Sequence, residues 1–294
     1  MRRAALILFV LLAAACDKVD KAEAFTDPRL PPGLETRFWP PEGWAWGLIQ
    51  VKGEDDPIRY GVAAPNGEAR ADVIILTSHG ESAEMWFETA NALIARGYAV
   101  WVLEGSGEGG SGRNHANRAL GHVESFDADI RALPALDRLV VRPRRSVVVI
   151  ASGTAAFPAM AAVQRGYQPD LLILSGPFEP RTEGWKRPEP GDRLTPRRRA
   201  LAGWAVANPD LRMGGVSRRW LSEHRKLKGA VTAAEAQKGV RAPVVVVSQP
   251  TGTLRCGDIP ACREVATAGT EAYLFEADSI RNQWLGTIFS SLPN

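Results

Sequence analysis

The chain has little net charge, no apolar run at its start long enough to span a membrane, and few cysteines. When Arg2 and Arg3 are set aside, 34 basic residues face 33 acidic ones, a balance that does not indicate a nucleic-acid partner. The apolar run over residues 4–15 is shorter than the roughly 20 residues needed to cross a bilayer. With 294 residues, 45% hydrophobic and 23% charged, the composition excludes a disordered or collagen-like chain and fits one large or two small globular domains.

Residues 1–15 have the pattern of a secretory signal peptide. Arg2 and Arg3 precede the apolar run, which ends in small residues before Cys16. This ending resembles the lipobox of bacterial lipoproteins, which implies cleavage before Cys16 and a lipid anchor on its thiol. The alternative is an ordinary cleavage site with an incidental cysteine. Asp17 implies, by the same resemblance, retention at the inner membrane of the cell envelope, facing the periplasm.

Two further cysteines, Cys256 and Cys262, are six positions apart. Export would place them in an oxidising compartment, so we predict a local disulfide that closes a small loop. The alternative is a pair of reduced thiols. No histidine lies nearby, so we expect no metal site there, and we expect no cofactor.

Apolar strands alternate with helices along most of the chain. This alternation predicts an α/β fold with a mostly parallel central sheet flanked by helices. We expect residues 16–57, which are rich in proline, to form a tether and an N-terminal segment. The predicted strands cover 58–64, 73–78, 99–103, 146–150, 171–175 and 243–248, and the predicted helices cover 85–96, 127–139, 155–165 and 279–292.

Residues 179–240 interrupt the alternation. We interpret them as a helical cap insertion between two parts of one core, 58–178 and 241–294. Residues 180–228 hold thirteen lysines and arginines against five acidic residues, interleaved with tryptophans at 185, 204 and 220. Basic residues with tryptophan suit an anionic lipid surface. The alternative is an ordinary solvated cap.

Residues 78–113, with SHGES and then GYAVWVLEGSGEGGSGR, resemble a known enzyme family, as does GHVESFD at residues 121–127. They are similar to the lysophospholipase and monoacylglycerol lipase branch of the α/β-hydrolases, within the serine-aminopeptidase-like group. The resemblance covers about 58–178 and resumes over 241–292. It implies the α/β-hydrolase fold, with residues 179–240 as the cap over an acyl pocket.

The resemblance also implies a catalytic serine, acid and histidine, but all three positions hold other residues. Gly153 stands at the serine position of the strand-turn-helix elbow, with Ser152 one position early. The acid position falls at Thr251 or Gly252, and the histidine position at Glu271. A serine mechanism needs a hydroxyl, a base with a pKa near 7 and an acid that orients the base. We therefore predict a site that does not catalyse by this route.

Two backbone groups of an oxyanion hole are implied at Glu81 and Thr154. Such a donor pair suits an anion, and the alternative is that both amides serve only their turns. Glu104 and Glu108 lie in the glycine-rich loop EGSGEGG, which we interpret as the turn after a strand rather than as a phosphate-binding loop.

Three functions are compatible with these patterns. The first is an exported, membrane-anchored and non-catalytic protein that binds a lipid-like or acyl ligand, or a protein partner, but no nucleic acid. The second is an active lysophospholipase or carboxylester hydrolase with Ser152 as nucleophile, Glu271 as base and Asp258 as support. The third is a structural scaffold of the envelope.

Overall fold

The computed structural model describes most of the chain, from residue 22 to residue 293 with five gaps. No helix in this described part is long and apolar enough to cross a membrane. Eight residues singled out from the sequence lie outside the described residues: Arg2, Arg3, Cys16, Asp17, Trp185, Thr251, Gly252 and Glu271. The described ranges are 22–140, 145–176, 189, 193–248, 253–266 and 277–293.

A twisted sheet of eight strands forms the centre of the described molecule. The strands are β1 (Ala45–Ile49), β2 (Ile58–Ala63), β3 (Ala71–Leu76), β4 (Ala99–Leu103), β5 (Ser146–Ser152), β6 (Leu171–Ser175), β7 (Val244–Ser248) and β8 (Cys262–Ala266). Their order is β1-β2-β4-β3-β5-β6-β7-β8. β2 is antiparallel to both of its neighbours, and every other adjacent pair is parallel.

The parallel strands inside the sheet, β3 to β6, are buried on both faces, which explains their apolar runs. All six residues of β3 are buried. Val73 is in register with Val100 of β4 and Val148 of β5, and these three valines belong to one core cluster. Ile74 and Val149, on the other face, belong to the second cluster.

Helices cover both faces of the sheet. α1 and α7 pack on the face that carries Val73, while α2 and α3 pack on the face that carries Ile74. Three cap helices, α4, α5 and α6, lie in the chain between β6 and β7, so the predicted α/β fold with a helical cap insertion is confirmed. The helices are α1 (Phe87–Ile94), α2 (Asp127–Val140), α3 (Ala156–Gln164), α4 (Pro196–Ala207), α5 (Arg218–Thr232), α6 (Ala234–Lys238) and α7 (Asp278–Ser291).

Both edge strands, β1 and β8, are absent from the sequence-based prediction. β1 lies within the segment 16–57 that we expected to form a tether and an N-terminal segment, and β8 has an almost wholly exposed pattern. β8 is largely exposed and therefore has no continuous apolar run to reveal it. Gly47 weakens the strand signal of β1 further, yet it is needed, since a Cβ there would lie 2.3 Å from the Tyr60 ring.

The cap tryptophans within the described residues point into the protein. Trp204 packs against Phe87 with ring centroids 5.6 Å apart, and Trp220 stacks on His224 at 5.0 Å. Both indoles are buried. Neither is therefore available to a lipid surface, which agrees with the alternative of an ordinary solvated cap.

The disulfide predicted between Cys256 and Cys262 is present, with the two Cα atoms 5.5 Å apart. Cys262 is the first residue of β8, so the bridge holds a small loop against the edge of the sheet. Asp258 lies in this loop, where its backbone N–H donates to Gln237 Oε1 at 3.0 Å.

Candidate functional site

The strand-turn-helix corner after β5 is centred on Gly153. β5 ends at Ser152, a single 3-10 turn covers Gly153–Ala155, and α3 follows directly. Gly153 has φ = +48°, a left-handed conformation that costs glycine little and other residues more. The corner therefore has the sharp turn on which a hydrolase elbow displays its nucleophile, but its central residue has no side chain.

Ser152, the alternative nucleophile, is paired with Glu81, a residue predicted only to supply a backbone amide. Its Oγ donates to Glu81 Oε1 at 3.2 Å, and the residue is only 2% exposed. The structure thus brings Ser152 to Glu81, whereas Asp258 makes its described contact with Gln237 of α6.

The Glu81 carboxylate is buried and accepts three hydrogen bonds. The donors are Ser78 N at 2.8 Å, Ser152 Oγ at 3.2 Å and Trp86 Nε1 at 3.2 Å. Burial raises the pKa of Glu81 to about 7, although these donors act in the opposite direction. A carboxyl with this pKa is in the range of a general base at neutral pH.

The two predicted oxyanion-hole amides both donate to oxygens of Ser78. Thr154 N donates to Ser78 Oγ at 3.1 Å, and Glu81 N donates to the Ser78 backbone oxygen at 3.0 Å. His79 N donates to Thr154 Oγ1 at 2.9 Å, which ties the loop after β3 to the corner. A ligand oxygen at Thr154 N would have to displace the Ser78 hydroxyl.

His79 links the site to the cap. Its Nδ1 lies 2.8 Å from Glu108 Oε1, and its Nε2 lies 3.3 Å from the backbone oxygen of Gly214. Both ring nitrogens face acceptors, which fits an imidazolium that donates twice. Burial lowers the pKa of His79, but the attraction of Glu108 outweighs it, so the pKa is raised overall.

Beside this pair, the glycine-rich loop after β4 closes around a buried ion cluster. The Arg59 guanidinium binds Glu104 through two hydrogen bonds of 2.8 and 2.7 Å, and it binds Glu84 at 3.0 Å. Gly110 N donates to Glu104 at 2.8 Å, and a Cβ at Gly110 would lie 2.3 Å from Arg59 Cζ. The loop therefore needs glycine in order to approach Arg59. Within the described residues, no group of three or more His, Cys, Asp or Glu side chains is arranged to hold a metal ion.

Comparison with known proteins identifies the fold. No protein-family model matches the sequence, and no curated protein matches it. Among solved structures, a carboxyl esterase from Bacillus coagulans in complex with glycerol matches with a TM-score of 0.63 and 13% identity, covering 84% of this chain and 97% of that chain. A soluble variant of the Saccharomyces cerevisiae monoglyceride lipase with a substrate analog matches at 0.61 and 13%, covering 90% and 94%.

A lipase in its open form matches with a TM-score of 0.60 and 16% identity, covering 84% of this chain and 97% of that chain. The chain therefore has the α/β-hydrolase fold. At such low identity these matches establish the fold alone.

Glu81→Gln should flatten the pH dependence of stability. Because the folded-state pKa of Glu81 is raised to about 7, the protonated carboxyl stabilises the fold below about pH 4.5, and this contribution is lost as the pH rises to about 7. The loss is on the order of 3 kcal/mol, and a neutral glutamine cannot undergo it. Urea unfolding at pH 5, 6, 7 and 8 measures the difference.

The matched control is Glu68→Gln, at an exposed position between β2 and β3. This variant should retain the pH slope of the unmodified protein. An equally steep slope in Glu81→Gln would show that Glu81 does not titrate in this range.

Proposed function

We propose that the protein is an exported, membrane-anchored α/β-hydrolase-fold protein that does not hydrolyse esters and binds a lipid-like ligand. The observation that carries the proposal is the corner at Gly153, where the turn for a nucleophile is present without a nucleophilic side chain. The resemblance to lysophospholipases, together with the neighbouring lipases and esterases, supplies the ligand class.

Three observations support the loss of hydrolysis. Gly153 provides no hydroxyl, and the Ser152 hydroxyl is buried against Glu81. The amide of Thr154 is bound by Ser78. Acyl transfer needs a free nucleophile and a free donor at the developing oxyanion, so this arrangement disfavours it.

A groove between the N-terminal segment and α4 supports lipid binding. Its volume is about 480 Å³, within the range of small-molecule sites. The lining is largely apolar, and its two charged residues, Arg199 and Glu35, form an ion pair with an N–O distance of 3.8 Å. The lining residues are Pro31, Pro32, Gly33, Leu34, Glu35, Phe38, Leu194, Pro196, Arg199, Ala200, Ala202, Gly203, Val206 and Ala207.

The start of the described chain is compatible with an anchor at Cys16 on the periplasmic side of the inner membrane. Ala22 is buried, and its backbone oxygen accepts from Arg113 N at 2.9 Å, which fixes this point on the glycine-rich loop. The six residues that lead from Cys16 to Ala22 span at most ~20 Å when extended. We therefore expect the lipid to lie within that distance of Ala22.

Cys16→Ser should release the protein from the membrane. The thiol that carries the lipid is removed, so incorporation of a labelled fatty acid should be lost and the protein should move to the soluble fraction. Lys18→Ser is the matched control and should remain labelled and membrane-bound. A wild-type protein that takes up no label would exclude the anchor.

A second candidate function, ester hydrolysis by Ser152, is favoured by one contact. The Ser152 hydroxyl donates to Glu81, a carboxylate whose burial raises its pKa to about 7. A hydroxyl beside such a base is a possible nucleophile in chemical terms, so this candidate needs a direct test.

Labelling with a fluorophosphonate probe separates the two functions. We expect no labelling of the wild-type protein under conditions in which an active serine esterase is fully labelled. Labelling that disappears in Ser152→Ala and persists in Ser78→Ala would establish Ser152 as a nucleophile and overturn the non-catalytic proposal.

Val206→Asp should reduce lipid binding several-fold. Val206 lines the groove and is 42% exposed, so the substitution puts a charge against the lipid without burying it in the core. Native mass spectrometry of the purified protein measures the bound lipid. The control is Leu139→Asp, at a position 66% exposed on α2 and outside the groove. If the wild-type protein carries no lipid besides its anchor, the scaffold function is favoured instead.

A further inference from the structure

The outer edge of β1 differs from the edge at the other side of the sheet. β1 pairs with β2 on one side only, and its sequence, AWGLI, holds no charged residue and no proline. Leu48 is 42% exposed. At the opposite edge, β8 presents Arg263 and Glu264, both exposed. Charged residues are a common protection of edge strands against pairing with another chain, and β1 lacks this protection.

Two similar turns bracket β1 and carry opposite charges. In the first, Trp44 N donates to the Pro41 oxygen, and Glu42 precedes a glycine with φ = +71°. In the second, Glu54 N donates to the Val51 oxygen, and Lys52 precedes a glycine with φ = +85°. Glu42 and Lys52 are exposed, and neither forms an ion pair with a described residue.

These charges are placed symmetrically about Gly47. Glu42 is five residues before Gly47, and Lys52 is five residues after it. If a second copy of β1 pairs antiparallel with Gly47 on the two-fold axis, Glu42 of each copy faces Lys52 of the other. Trp46 then faces the Leu48 side chain across the axis, an apolar cross-strand pair of the kind that stabilises sheets.

We propose that the β1 edge is a homodimer interface in which two copies of this chain form a continuous sixteen-stranded sheet. The interface is isologous, as a two-fold dimer requires, because the same strand supplies both sides. Backbone hydrogen bonds between the two strands provide affinity. The two Glu42–Lys52 contacts select the antiparallel register, since like charges placed there would repel. The proposal is independent of the lipid groove and of the anchor.

Charge reversal tests the register directly. Glu42→Lys and Lys52→Glu each place like charges opposite each other twice, so each variant alone should self-associate about tenfold more weakly than the unmodified protein. Mixing the two variants restores both contacts and should give a heterodimer. The double variant Glu42→Lys/Lys52→Glu should dimerise as the wild type does.

The measurement uses the full chain extracted in detergent, with two different affinity tags on the two copies. Co-purification and the mass from light scattering report the dimer. Glu68→Lys, a charge reversal at an exposed site outside β1, is the control and should leave the dimer intact. Leu48→Lys should weaken the dimer, and mixing it with either charge variant should not restore it.

Three results would overturn the proposal. One is a wild-type chain that stays monomeric at concentrations up to about 100 μM, where an edge-strand dimer of useful affinity should form. Another is equal self-association of both single variants and the wild type. The third is a wild-type chain that is monomeric but binds a different protein, with this binding lost in the β1 variants. The β1 edge would then be a site for a strand of another protein.

Discussion

The buried pairing of Arg59 with Glu104 and Glu84 is the interaction on which the organisation of this molecule depends. All three side chains are fully buried. Their contacts join β2, the loop after β4 and the segment before α1, and Phe25 and Trp46 cover the guanidinium at 4.9 and 4.2 Å. Removing one member of a buried ion pair costs about 3–5 kcal/mol because the other charge is left without its partner. The Glu104 carboxylate therefore determines the conformation of the glycine-rich loop to which Glu104 belongs.

This cluster fixes the loop after β3, and the fixed loop determines what the corner at Gly153 can do. Ala83 N donates to Glu104, so the loop cannot move without breaking a contact of the ion cluster. Glu81 and His79 precede Ala83 and are held facing Ser152 and Glu108. The polar groups of the corner thus form hydrogen bonds with one another. Such pairing avoids the free-energy cost of burying a polar group without a hydrogen-bond partner.

The sequence predicts the middle of this fold better than its edges or its site. Buried parallel strands such as β3 and β5 contain continuous apolar runs, at 73–76 and 147–151, and these runs depend only on local composition. β8 has no such run because its residues are largely exposed, and the short apolar sequence of β1 is interrupted by Gly47. The partnership of Ser152 with Glu81 joins residues 71 positions apart, and no local pattern reports a contact of that kind. The buried positions of Trp204 and Trp220 were likewise not predictable, because a basic neighbourhood says nothing about the direction of an indole.

The corner itself shows why its geometry persists with glycine at the centre. A residue with a Cβ at φ = +48° carries about 1–2 kcal/mol of strain, and active sites commonly hold strain that the surrounding structure must offset. Glycine at position 153 allows the same turn between β5 and α3 without this backbone strain. Ser78 and Glu81 then complete the hydrogen bonding of the corner. The turn after β5 is therefore stable as a connection between β5 and α3, independent of any chemistry at its tip.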